Sequence, residues 1–107
     1  MGKIYIAGKI TGTTDYLERF AKAEDWLNEH GYKGSVINPA KISDGLPPET
    51  TTYKDYIQIG LSMLGTCDAI FMLKCWEESL GASLELQYAM TLGYKVLYED
   101  ASGYEGN

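Results

Sequence analysis

Residues 68–73 read "DAIFML". After the first residue the run is apolar without a break. A strand with one wet face would alternate polar and apolar side chains. A short unbroken run is the pattern of a strand covered on both faces, as in a parallel sheet. Upstream lies a helical stretch, Tyr53–Gly65, with Tyr56, Ile59 and Met63 as its inner stripe. Downstream come the loop "KCWEES" (74–79), a helix over Leu80–Leu92 closed by Gly93, and a strand "KVLYE" over Lys95–Glu99.

The first half repeats this alternation. Lys3–Ala7, "KIYIA", is a strand of β-forming residues, and Gly8–Thr14, "GKITGTT", a loop. Asp15–His30 carries a helical stripe of Tyr16, Phe20, Ala23 and Leu27 and stops at Gly31. Gly34–Asn38 is a second strand, ended by Pro39, and residues 40–52, "AKISDGLPPETTT", have the composition of a loop. Strands that alternate with helices predict an α/β fold, a parallel sheet with helices on both faces. Residues 1–99 read as one domain, and the tail 100–107, "DASGYEGN", has no packing pattern.

Composition excludes several classes. The 107-residue chain has 15 acidic and 9 basic residues, net charge −6, with no basic run, so no nucleic-acid polymer is expected as a partner. A small anion remains possible at a helix N-terminus. No segment approaches the ~20 apolar residues of a membrane span, so a soluble cytoplasmic protein without a membrane partner is expected. Cys67 and Cys75 flank one strand, whose ends lie roughly 25 Å apart, so they cannot pair and read as buried reduced thiols. No His/Cys cluster suggests a metal, and no cofactor is expected.

One residue conflicts with its surroundings. Wound at about 100° per residue, Gly81, Ala82, Tyr88, Ala89 and Leu92 fall within about 60° of Glu85. All five are small or apolar. A carboxylate there is costly unless it is paired, neutralised or opened to a pocket. The helix dipole favours a glutamate near this end but does not explain its face. In sheets of this kind ligands sit beyond the carboxyl ends of the strands. That edge gathers Gly8–Thr14, Asn38–Pro48 and Lys74–Glu85, so Glu85 is aimed at a crevice and is a candidate working group. Tyr5 is either a core tyrosine bonded to backbone or the residue that reaches Glu85.

Other candidates carry less. "GKIT" (8–11) lacks the glycine five positions earlier that a P-loop needs, and no GxGxxG occurs. Asp68 starts its strand at the end away from the crevice and reads as structural. His30 suits the dipole of the helix it ends and has no assigned chemistry. Trp76, in the crevice loop, either stacks on a base or covers the core or a subunit contact.

"IYIAGKITG" followed by "SLGASLELQYA" resembles the nucleoside 2-deoxyribosyltransferase superfamily, closest to its 2'-deoxynucleoside 5'-monophosphate N-glycosidase branch. With "INPA", "CDAIFML", "WEESLGA" and "LGYKV", the whole pattern is also similar to a small phage- and bacteria-associated branch of unknown function. The resemblance implies a flavodoxin-like (Rossmann-like) three-layer sandwich with a parallel sheet of four or five strands. It implies a homodimer or higher homo-oligomer whose neighbouring subunit helps close the site. The residue matching Glu85 is the nucleophile that attacks the anomeric carbon, and the one matching Tyr5 holds it. Ser79, six positions before Glu85, matches a serine that binds the 5'-phosphate. Gly8, Lys9, Ile10, Thr11 and Gly12 match the loop around sugar and phosphate, and Gly81 and Trp76 are further substrate-binding candidates. The ligand implied is a nucleotide or nucleoside. One departure stands out: family enzymes carry an aspartate as general acid eight residues upstream of the position of Asp68, where this chain has Gly60.

Three functions are therefore expected as alternatives. The first is N-glycosidic bond cleavage, by hydrolysis or deoxyribosyl transfer. The second is a nucleotide binder that has lost its general acid. The third is a structural oligomer with a vestigial pocket.

Overall fold

The computed structural model describes residues 2–10 and 12–99. The elements are β1 (Ile4–Ala7), α1 (Tyr16–Leu27), β2 (Val36–Ile37), α2 (Ala40–Asp44), α3 (Tyr53–Leu64), β3 (Ala69–Met72), α4 (Leu80–Thr91) and β4 (Lys95–Tyr98). The four strands form one all-parallel sheet in the order β2-β1-β3-β4. Helices cover both faces, which makes the flavodoxin-like α/β three-layer sandwich.

Strand periodicity divides the core. Ile4 and Ile6 of β1, with Ala69 and Phe71 of β3, pack against Phe20, Ala23 and Leu27 of α1. The alternate residues Tyr5, Ala7, Ile70 and Met72 face the other way, onto Leu64 of α3 and Ala82, Leu86 and Ala89 of α4. Both strands are therefore buried at every position, as the unbroken run over 68–73 requires. Burying each large apolar side chain contributes roughly 1.5–3 kcal/mol. The same alternation sends Tyr5 toward α3 and α4.

Several boundaries differ from the sequence reading. Helix α1 ends at Leu27 and passes into a wide turn, Asn28–Tyr32, because Gly31 adopts φ 105 and His30 leaves helical geometry. The His30 ring stacks on Trp26 at 4.1 Å, with Nδ1 2.7 Å from the Trp26 carbonyl. The stretch predicted as loop over 40–52 contains α2. Its start is set by Asn38, whose Oδ1 accepts from the Ala40 amide at 3.0 Å while its Nδ2 donates to Glu24 at 3.0 Å. Helix α3 opens with a capping box: Thr52 Oγ1 accepts from Asp55 N, and Asp55 accepts from Thr52 N. Of the two thiols, Cys67 is buried and free, but Cys75 is free and exposed, since the chain turns outward there at φ 66.

The inner stripe of α4 is Ala82, Leu86 and Ala89. Tyr88 and Leu92, expected inside, are 37% and 54% exposed. Glu85 lies about 60° to one side of that stripe, facing β1 and α3 rather than the middle of the sheet. The outer surface of α4 is apolar, with Leu80 and Met90 63% and 61% exposed. Among the described residues no helix is long and apolar enough to cross a membrane.

Candidate functional site

A cavity of about 540 Å³ opens beyond the carboxyl ends of β1, β2 and β3. This is the volume range of small-molecule sites. Its floor is Tyr5 and Ile6, and the β1–α1 loop supplies Gly8, Lys9 and Ile10. Pro39 and Ser43 come from the α2 region. Helix α3 presents Tyr53, Tyr56 and Gly60, and the α4 side presents Glu78, Ser79, Gly81 and Glu85.

Glu85 and Tyr5 meet in the wall of this cavity. Tyr5 donates its hydroxyl proton to Glu85 Oε2 at 2.7 Å, across 80 residues of sequence. Glu85 is half-buried overall, but its carboxyl group is turned inward against Tyr5 and α3. Burial pushes this carboxyl up to about 7, against the smaller opposing effect of the Tyr5 hydrogen bond. The Tyr5 phenol is held well above its usual range by burial first and then by the Glu85 carboxylate, so it remains a donor.

The start of α4 is satisfied by two hydroxyls. Ser79 Oγ accepts from the Ala82 amide at 3.1 Å, an ordinary N-cap. The Tyr53 hydroxyl accepts from the Gly81 amide at 3.0 Å. Both hydroxyls line the cavity, and each has its own proton left to donate. At the mouth, Lys9 Nζ meets Glu78 Oε1 at 3.1 Å, joining the β1–α1 and β3–α4 loops. Lys9 is thus neutralised by a neighbour 69 residues away.

Of the site residues expected from the sequence, Tyr5, Gly8, Lys9, Ile10, Ser79, Gly81 and Glu85 line one cavity. Thr11 lies outside the described residues. Gly12 is an exposed turn residue and Trp76 is packed elsewhere; neither is part of the lining. The Trp76 ring covers the core under α4, with its centroid 6.3 Å from that of Tyr98. Asp55 is occupied by its capping box. Among the described residues no group of three or more His, Cys, Asp and Glu side chains is placed to hold a metal ion.

Sequence reasoning missed Tyr53, Glu78 and Glu99. Tyr53 opens α3, and no spacing rule points it at α4. Glu78 is the one acidic residue beside Ser79 able to pair across the crevice with Lys9. Glu99, taken as the end of a strand, is 7% exposed and accepts from the Lys74 amide at 2.5 Å. The Lys74 carbonyl accepts from Arg19 at 3.1 Å, so the loop that leads to Glu78 is held from two sides.

No curated protein and no solved structure matches the chain. The family comparison matches residues 2–98, nearly all of the domain that builds this cavity, and the chain belongs to the family described as Domain of unknown function (DUF4406).

Proposed function

We propose that the protein cleaves the N-glycosidic bond of a nucleoside or nucleoside 5'-monophosphate, with Glu85 as nucleophile. The observation that carries this reading is the Tyr5–Glu85 hydrogen bond in the wall of the cavity. It is supported by the resemblance to the nucleoside 2-deoxyribosyltransferase superfamily. Tyr5 holds Oε2, which leaves the second oxygen to attack the anomeric carbon of the sugar. The carbon–nitrogen bond breaks, its electron pair leaves with the base, and a glycosyl ester remains on Glu85. Water or a second base then takes the sugar, giving hydrolysis or transfer. Glu85 acts in its ionised form, so the acid limb of the rate profile falls near its raised value.

The hydroxyls of Tyr53 and Ser79 provide donors for the 5' end of the ligand, with Lys9 at the mouth for a phosphate. Exposed Leu80, Leu84, Met90 and Leu92 give α4 an outer face without charge on a chain of net charge −6. That face supports a homo-oligomer, and Leu80, which also lines the cavity, would bring a second copy to the mouth. A cytoplasmic location fits a nucleotide ligand.

Gly60 favours a second reading, a nucleotide binder without turnover. Loss of a general acid typically costs roughly 10²–10⁴-fold in rate. Incubation with ribo- and deoxyribonucleosides and their 5'-monophosphates, followed by chromatography of free base, separates the two. Base released by the wild type and not by Glu85→Gln supports cleavage. Intact ligand bound stoichiometrically supports the binder, and no binding by any compound refutes both.

A further inference from the structure

Gly60 lies inside α3, where glycine is the least favourable ordinary residue. It is fully buried. A Cβ at this position would lie 2.4 Å from Glu85 Oε2, 3.6 Å from Glu85 Cδ and 3.0 Å from the Tyr5 hydroxyl oxygen. The first distance is far inside van der Waals contact. At Gly81, by comparison, the nearest atom to such a Cβ is 3.7 Å away. The surface of α3 therefore has a notch one side chain deep, and the Glu85 carboxyl group fills it. The α3 backbone gives the carboxyl nothing in return, because its amides near this turn are engaged within the helix. What the notch supplies is room.

We propose that Gly60 is the positioning residue for Glu85: the missing side chain is the seat that keeps the carboxyl within reach of the Tyr5 hydroxyl. With α3 and α4 held as they are in this chain, a side chain at position 60 turns the carboxyl out of the seat and into the cavity. The Tyr5 hydroxyl, on a residue 1% exposed, then loses its acceptor. The functional consequence rests on Glu85 being the group that meets the ligand, but the geometry and its test do not require turnover.

Titration reads the position of the carboxyl. In the seat, burial outweighs the Tyr5 hydrogen bond. Turned into the cavity, the group gains water and loses that bond, and the larger effect decides, so its midpoint falls. The other ionisable groups around the cavity are Tyr5 on β1, Lys9, Tyr16 on α1, Tyr53 and Tyr56 on α3, and Glu78. Of these, only the Tyr5 hydroxyl lies within 3.6 Å of a carbon added at position 60.

The experiment compares wild type, Gly60→Ala, Glu85→Asp and the double variant. Carbon-13 carboxyl spectra of glutamate-labelled protein are followed across pH, with Glu85→Gln identifying the resonance, and melting temperatures are recorded alongside. Gly60→Ala is expected to lower the Glu85 midpoint by about one pH unit or more, a tenfold change in proton affinity. Glu85→Asp is expected to lower the melting temperature of the wild type but to raise that of Gly60→Ala, since the shorter side chain withdraws from the added methyl. An unchanged Glu85 midpoint in Gly60→Ala, or additive losses of stability in the double variant, overturns the proposal. If Gly60→Ala alone does not fold, the double variant decides: recovered folding supports the seat, and no recovery overturns it.

Discussion

The Tyr5 hydroxyl and the Glu85 carboxylate, 2.7 Å apart, join the central strand β1 to α4 over the floor of the cavity. The bond crosses from one layer of the sandwich to another, so it has both a structural and a chemical side. Each can be measured separately.

The structural side depends on pH. The Glu85 carboxyl is raised from 4.5 to about 7 in the folded protein, so between these values the native state binds more protons than the unfolded state. Stability therefore falls as pH rises from about 4.5 to about 7 and levels off above it. The full effect is on the order of 3 kcal/mol. Glu85→Gln keeps an acceptor for Tyr5 and cannot ionise. Its melting temperature should match the wild type near pH 4.5 and exceed it increasingly up to pH 7. A gap that does not change over this interval would contradict the burial of the ionised carboxylate.

Removing the donor acts in the opposite sense to opening the seat. In Tyr5→Phe the carboxyl keeps its burial and loses the one interaction that lowers its proton affinity. Its titration midpoint should move above 7, and the acid limb of any base-release profile should move with it. The lost hydrogen bond should lower stability by about 1 kcal/mol. A limb that stays in place would show that Tyr5 does not act on the group that limits the rate.

The Lys9–Glu78 pair makes a prediction about the ligand. The pair is exposed at the cavity mouth, so Glu78→Gln should change stability by less than about 1 kcal/mol. It frees Lys9, however. Affinity for a nucleoside 5'-monophosphate should rise about three- to tenfold, a gain of roughly 1 kcal/mol, while affinity for the unphosphorylated nucleoside stays constant. Titration calorimetry at fixed salt makes the comparison. Equal changes for both ligands would remove Lys9 from the phosphate end.

Glu99 is not part of the cavity lining but holds the loop that leads to Glu78. Glu99→Ala takes the side-chain acceptor from the Lys74 amide and should lower stability by about 1–3 kcal/mol. Ligand affinity should fall with it, because Glu78 and Ser79 follow in the same segment. Hydrogen exchange at Lys74 reports the loosening directly, and unchanged protection there would separate Glu99 from the loop.

Much of this was legible in the sequence because it follows from periodicity. The unbroken run over 68–73 announced a strand buried on both faces, and winding the last helix set Glu85 apart. The inner neighbours of Glu85 were partly wrong, since Glu85 flanks the buried stripe and its own side faces α3. Helix α2 was hidden by prolines and polar residues, because a side chain, Asn38, starts it rather than a hydrophobic repeat. Trp76 and Gly12 sit in crevice segments yet miss the cavity, which no local pattern reveals. Tyr53, Glu78 and Glu99 all act on partners at least 25 residues away, beyond the reach of any spacing rule. The notch at Gly60 is a three-dimensional fact about two helices and a strand.

The first strand of the chain lies between two others in the sheet, paired to β2 over only two residue pairs and to β3 over four. A polypeptide leaving the ribosome would thus present Tyr5 long before β3 and α4 exist to cover it. The N-terminal half has no stable sheet to join, and Tyr5 has no partner until nearly the last helix is made. The domain is therefore expected to fold late and all at once, when α4 and β4 have been made.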